Sequence, residues 1–183
     1  QLAAFRNGVF FVALAPLSSP EHLVPALADA LQFSFYGAIE PRTQLINFLR
    51  EKEMLLVLDN FEHLTAGAPL LDEILQNAPR VKMIVTSRER LNLQGENLLE
   101  VGGLDYPPSA RLNEGVHYSA LRLFISCARR HDSTLIFSDN DLPYIALICQ
   151  TIAGMPLAIE LAASWVRVLP VKDIVREIRK DTD

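Results

Sequence analysis

The sequence predicts an α/β fold with a parallel sheet, followed by an all-helical part. Three observations carry this. Short apolar runs at 8–17, 54–59, 81–88 and 97–101 are continuous rather than alternating, as strands buried on both faces are. Amphipathic stretches lie between them, and this alternation favours parallel pairing through helical crossovers. Beyond about residue 118 the apolar spacing is helical throughout.

In order, GVFFVALAPL (8–17) is a β-rich run closed by Pro16. Ser19 offers an N-cap with Pro20 beside it, and Leu23, Leu27, Ala30 and Leu31 fall at helical spacing, with Pro25 disturbing the first turn. A second helix follows Pro41, with Leu45, Phe48 and Leu49 on one face. MLLVLD (54–59) is an apolar strand that stops at a carboxylate. Pro69 opens a helix burying Leu70, Leu71, Ile74, Leu75 and Ala78, and Pro79 ends it. VKMIVTSR (81–88) reads as a strand with a polar end, and NLLEV (97–101) as a last strand after Gly95.

After Gly102-Gly103 and Pro107-Pro108 the character changes, which divides the chain into an α/β domain over 1–103 and a helical subdomain over 104–183. Four helices are expected there. The first carries Leu121, Phe124, Ile125 and Ala128; the second, started by Ser138 or Asp139, carries Leu142, Ile145, Ile148 and Ile152. The third runs from Pro156 through Ile159, Ala162, Ala163 and Val166, and the fourth follows Pro170 with Val171, Ile174, Val175 and Ile178.

Half of the 183 residues are hydrophobic, so a substantial core can form. The net charge is -5, with nine basic and fourteen acidic residues up to position 117 and eight of each thereafter. Neither part has the basic excess of a nucleic-acid surface. The segment 145–166 has a helix-turn-helix outline, but 156–169 carries only Arg167 as a cation, with Glu160 beside it; DNA contact is therefore expected only through a domain outside this chain. Cys127 and Cys149 sit in apolar helical patterns, and His22, His63, His117 and His131 are scattered without metal-ligand spacing. No apolar run approaches the ~18 residues of a membrane span and no signal-peptide pattern is present, so a cytoplasmic location is expected.

In an open parallel sheet, ligands gather at the carboxyl ends of the strands. Asp59 at the tip of LLVLDN suits Mg2+ held through retained waters. Thr86, Ser87 and Arg88 end the next strand, where Arg88 could fork onto a terminal phosphate. Each has a plainer reading: Asp59 as a turn or cap residue, Arg88 as a solvated surface cation, and Pro156 as the start of an ordinary helix after Gly154.

Asp59-Asn60-Phe61-Glu62-His63 resembles the Walker B region of the STAND signal-transduction ATPases, above all the bacterial branch in large LuxR-type transcriptional regulators, relatives of the NB-ARC and NACHT modules. GVFFVALAPL resembles the strand after the P-loop helix, IVTSRERL (84–91) the sensor strand, and GMPLAIELAA (154–163) the GxP motif of the helical lid. The resemblance covers nearly the whole chain. It implies a P-loop NTPase-like parallel sheet lacking its first strand, followed by a helical lid, in an ATP/ADP-binding switch of a signal-responsive transcriptional regulator. By it, Asp59 holds Mg2+, Thr86, Ser87 and Arg88 line the nucleotide with Arg88 sensing the terminal phosphate, and Pro156 and Leu157 close over base and sugar.

Two departures qualify that implication. The position after the Walker B Asp is Asn60, an amide that cannot accept a proton from water, with Glu62 the nearest substitute; slow hydrolysis follows more naturally than fast turnover. No G-x-x-x-x-G-K-[ST] occurs, so the phosphate loop is expected before residue 1 and these residues alone should be inactive and hold nucleotide weakly. In this branch the loop-bearing strand lies between the sensor strand and the last strand. Without it, strand 81–87 can be completed by 97–101 or by a strand from a second copy, the two favoured repairs, or can stay open to solvent and promote association; self-association through sheet or lid is open. The alternative function is a regulatory interaction module that needs no nucleotide.

Overall fold

The computed structural model describes residues 4–108 and 117–180. The chain forms two compact units, Gln1–Leu98 and Leu99–Asp183. The first holds a three-stranded parallel sheet of β1 (Val9–Ala13), β2 (Met54–Asp59) and β3 (Val81–Val85), in the order β1-β2-β3. Val9 pairs with Leu55 and Ala13 with Asp59, while Met54 pairs with Val81 and Leu58 with Val85.

This register puts Val12, Met54, Leu56, Leu58 and Val81 on one face, where they are buried with residues of α1 (Leu23–Ala30), α2 (Pro41–Leu49) and α3 (Ala68–Asn77). Ser19 adopts the extended N-cap conformation, but a 3-10 turn over Pro20–His22 precedes α1. Pro25 falls in the first turn of α1, where a backbone N–H would have no helical partner, so it does not break the helix. In α2, the Glu40 carboxylate caps Thr43 N–H at 3.3 Å. Gln44 is buried and satisfied: its Oε1 accepts from Tyr36 N–H at 3.0 Å and its Nε2 donates to the Ile39 carbonyl at 2.6 Å.

Three expectations are corrected. Among the described residues of the first unit, helices cover one face of the sheet and not both: on the opposite face Phe11 is 62% and Ile84 53% exposed. All three helices pack on the other face, and an apolar run cannot by itself report whether a second layer exists. NLLEV (97–101) is not a strand, and Leu99 and Val101 are almost wholly exposed. Apolar, β-prone side chains do not make a strand without an adjacent edge to supply hydrogen bonds. Consequently 97–101 does not complete β3, which is an edge of the sheet among the described residues. The strand is also shorter than 81–88, leaving Thr86, Ser87 and Arg88 beyond its end.

The second unit is helical among its described residues: α4 (Ser119–His131), α5 (Leu142–Thr151), α6 (Pro156–Ser164) and α7 (Val171–Lys180), with a 3-10 turn over Trp165–Arg167. Its core joins Leu121 and Phe124 of α4, Ile145 and Ile148 of α5, Ile159 of α6 and Ile174 of α7. Helix α5 starts later than Ser138, because the Asp141 carboxylate takes up both the N–H and the hydroxyl of Ser138 at 2.8 and 2.7 Å and so forms the turn ahead of the helix. Cys127 and Cys149 are free and buried, and burial pushes the Cys149 thiol up to about 12. No helix among the described residues is long and apolar enough to cross a membrane.

Candidate functional site

The parallel register brings the carboxyl ends of β2 and β3 side by side, and with them most of the polar residues singled out in the sequence. Asp59 is the last residue of β2, half-buried, its carbonyl accepting from Leu14 N–H at 3.0 Å. Thr86 lies just past β3. Its backbone N–H donates to the Leu58 carbonyl and its own carbonyl accepts from Phe61 N–H, both at 2.9 Å.

The Thr86 side chain ties the two strand ends together. Its hydroxyl donates to Asp59 Oδ1 at 2.6 Å and its oxygen accepts from Asn60 N–H at 2.9 Å. This relay fixes Asp59 through one carboxylate oxygen and leaves Oδ2 for another partner. Asn60 sits at φ 71°, a left-handed conformation that asparagine tolerates better than most residues. The fully buried Phe61 anchors the turn from below.

Glu62 and Arg88 meet at 3.2 Å, with the Arg88 side chain 88% exposed and that of Glu62 21%. Glu62 is therefore occupied by a cation rather than positioned as a lone base. An ion pair this exposed contributes little to stability, so Arg88 can exchange partners at small cost. The Ser87 hydroxyl oxygen accepts from Glu89 N–H at 3.2 Å and serves its own turn.

His63 was not a candidate from sequence, yet it spans the site. One ring nitrogen, Nε2, lies 3.0 Å from the Leu17 carbonyl and the other, Nδ1, 3.4 Å from Asn60 Nδ2. The only sequence signal is its spacing in Asp59-Asn60-Phe61-Glu62-His63, three residues past Asn60 on a helical turn.

No group of three or more His, Cys, Asp or Glu side chains suited to a metal occurs among the described residues. A metal cage made of protein alone is thus not formed by them. One carboxylate with an open oxygen does fit magnesium carried on phosphates, because that ion keeps its waters and takes one or two protein carboxylates.

Pro156 and Leu157 belong to the second unit, at the start of α6, and both are exposed, Leu157 by 68%. The turn before them explains the glycine of Gly154-Met155-Pro156. Gly154 has φ 68° and its carbonyl accepts from Leu104 N–H at 2.8 Å. A Cβ on Gly154 would collide with the Leu104 carbonyl, and one on Gly103 with the Ala153 carbonyl, so two glycine backbones pass at contact distance.

A protein of Mycobacterium tuberculosis named as a candidate HTH-type transcriptional regulator is 31% identical over 170 residues, covering 92% of this chain and 18% of that protein. A counterpart in Mycobacterium bovis matches equally. An uncharacterized protein of Mycobacterium tuberculosis is 30% identical over 172 residues, covering 93% of this chain and 41% of that protein. The chain thus spans less than half the length of the curated relatives it matches. No protein-family model and no solved structure matches it.

Proposed function

We propose that this chain is part of a nucleotide-responsive switch in a transcriptional regulator, binding ATP or ADP with Mg2+ at the carboxyl ends of β2 and β3. The observation that carries the reading is the Thr86 relay, which holds Asp59 and Asn60 in one geometry and leaves Asp59 Oδ2 open, while Arg88, two residues past Thr86, is exposed and only weakly tethered to Glu62. The names of the mycobacterial relatives support a regulatory setting. So does the run of motifs that resembles the STAND ATPases.

Magnesium bound with the nucleotide supplies positive charge to the phosphate oxygens. Asp59 would hold that ion, its carboxylate already fixed at Oδ1 by the Thr86 hydroxyl. Arg88, only weakly tethered to Glu62, would be the group to contact a terminal phosphate. Asn60 donates or accepts hydrogen bonds but takes no proton, consistent with slow turnover.

The reading needs a phosphate-gripping loop that these 183 residues do not contain, so the test uses the full-length protein. Calorimetry with MgATP and MgADP is expected to show binding of both, and Arg88→Ala to weaken ATP more than ADP, by about 1.5–3 kcal/mol for a lost charged hydrogen bond. Equal losses would return Arg88 to the solvated surface. The second reading, a regulatory module that needs no nucleotide, is favoured by Asn60 at the position of a catalytic carboxylate and by Glu62 being paired. Absence of any nucleotide binding by the full-length protein would select it.

A further inference from the structure

We infer that His63 is a positioning residue that decides whether Asn60 offers the site a hydrogen-bond acceptor or a donor, an inference whose functional consequence rests on the nucleotide reading above. The Leu17 carbonyl can only accept, so Nε2 of His63, 3.0 Å away, carries a hydrogen. In the neutral ring Nδ1 is then a lone pair, and it faces the amide nitrogen of Asn60 at 3.4 Å. Asn60 donates to it through Nδ2.

The main chain of Asn60 cannot adjust, because its N–H is held by Thr86 Oγ1 at 2.9 Å and its φ is 71°. The side-chain amide is therefore the movable part. With Nδ2 held by His63, Oδ1 is the atom left for the site, an acceptor suited to a water molecule or to the waters of a bound cation. A proton on Nδ1 reverses the contact. Two donors then oppose each other, the amide turns over so that Oδ1 accepts from Nδ1–H, and the NH2 group faces the site. That arrangement suits a phosphate oxygen.

The charged and titratable groups on the elements packed around this turn are Glu21 and His22 of the preceding 3-10 turn, Asp59 at the end of β2, Glu62 on the same turn, and Asp72 and Glu73 on α3. Glu73 is already paired with Arg42, and Glu62 with Arg88. His22 lies near Ser19 Oγ at 3.3 Å, separate from the Leu17–His63–Asn60 bridge.

The test uses protein labelled with 15N at histidine and asparagine, with signals assigned through His63→Gln and Asn60→Asp variants. In ligand-free wild type the neutral His63 ring is expected as the Nε2–H tautomer, and the Asn60 side-chain amide signal is expected to shift when that ring takes up a proton. Glutamine can accept from Asn60 and donate to Leu17 without titrating, so in His63→Gln the Asn60 signal should stay fixed with pH. An Nδ1–H tautomer, or an Asn60 amide indifferent to pH in wild type, overturns the inference. In full-length protein, MgADP affinity should then vary with pH and lose that dependence in His63→Gln. Correct tautomer and amide behaviour without nucleotide binding at any pH would sink the nucleotide reading while leaving the positioning role standing. Nucleotide affinity with the same pH profile in both proteins would remove its consequence for the site.

Discussion

Replacing Thr86 by valine keeps the shape of the side chain and the β-branched backbone preference while removing one oxygen. Both backbone hydrogen bonds of residue 86 survive, since they use its N–H and carbonyl. Two contacts are lost: the donation to Asp59 Oδ1 at 2.6 Å and the acceptance from Asn60 N–H at 2.9 Å. In a buried setting, a bond to a carboxylate contributes about 1.5–3 kcal/mol and a neutral one about 0.5–1.5 kcal/mol. Thr86 is exposed and Asp59 and Asn60 only half-buried, so water recovers much of both. The net loss for Thr86→Val is therefore about 1–2 kcal/mol, read as a lowered urea midpoint of the first unit with unchanged slope. Amide exchange supplies a local reading, because Asn60 N–H should lose protection in Thr86→Val and retain it in Thr86→Ser. If Thr86→Ser is as unstable as Thr86→Val, the hydroxyl is not what holds the strand ends. If neither variant differs from wild type, the relay does not form in solution.

Other consequences are open to direct measurement. Gly154→Ala should destabilise the second unit by about 2–4 kcal/mol, combining a left-handed φ with a clash on Leu104, whereas Ala153→Gly at φ 51° should stabilise it; thermal unfolding that ranks them the other way refutes the glycine crossing. The Ser119 hydroxyl, and then its N–H, hold the Asp105 carboxyl below its ordinary range, so the folded pKa lies under the unfolded one. That contribution is fully present above the unfolded carboxyl value and is lost as pH falls through the folded one. Asp105→Asn should accordingly lower stability near neutrality and match wild type in strong acid; a constant gap across pH would show another cause. With β3 an edge and Phe11 and Ile84 exposed, sedimentation should show self-association that Ile84→Lys weakens. A clean monomer at high concentration would instead count against the strand order that the family resemblance implies.

The three paired strands and the helices were legible because each combines an apolar run or face with punctuation that has a local cause, such as Pro41, Pro156 and Pro170 at helix starts. Positions 97–101 misled because composition reports β-preference but not whether the chain carries the segment to the edge of a sheet. Asp59, Thr86 and Arg88 could be placed at strand ends, yet their partners could not, since those depend on the register between β2 and β3. The buried Gln44 and the bridging His63 escaped notice for a related reason. Each is justified by main-chain carbonyls, at Ile39 and Leu17, that have no signature in the sequence.

The parallel register also bears on how the first unit assembles. β2 and β3 are joined through the 3-10 segment Glu62–Gly67 and α3, with paired residues 27 positions apart, from Met54 to Val81, whereas β1 and β2 are 46 apart, from Val9 to Leu55. Closing the longer loop costs slightly more chain entropy, by about 0.5 kcal/mol, so pairing of β2 with β3 is expected to precede the addition of β1. Synthesis delivers the pieces in the opposite order. Val9-Phe10-Phe11-Val12-Ala13 leaves the ribosome well ahead of the strand that will satisfy it, and at roughly 5–20 residues per second it waits several seconds as an apolar, unpaired segment. The interval before Asp59 emerges is thus the period in which the nascent chain most needs shielding, and slowing translation between residues 13 and 54 should lower the folded yield more than slowing it after residue 85.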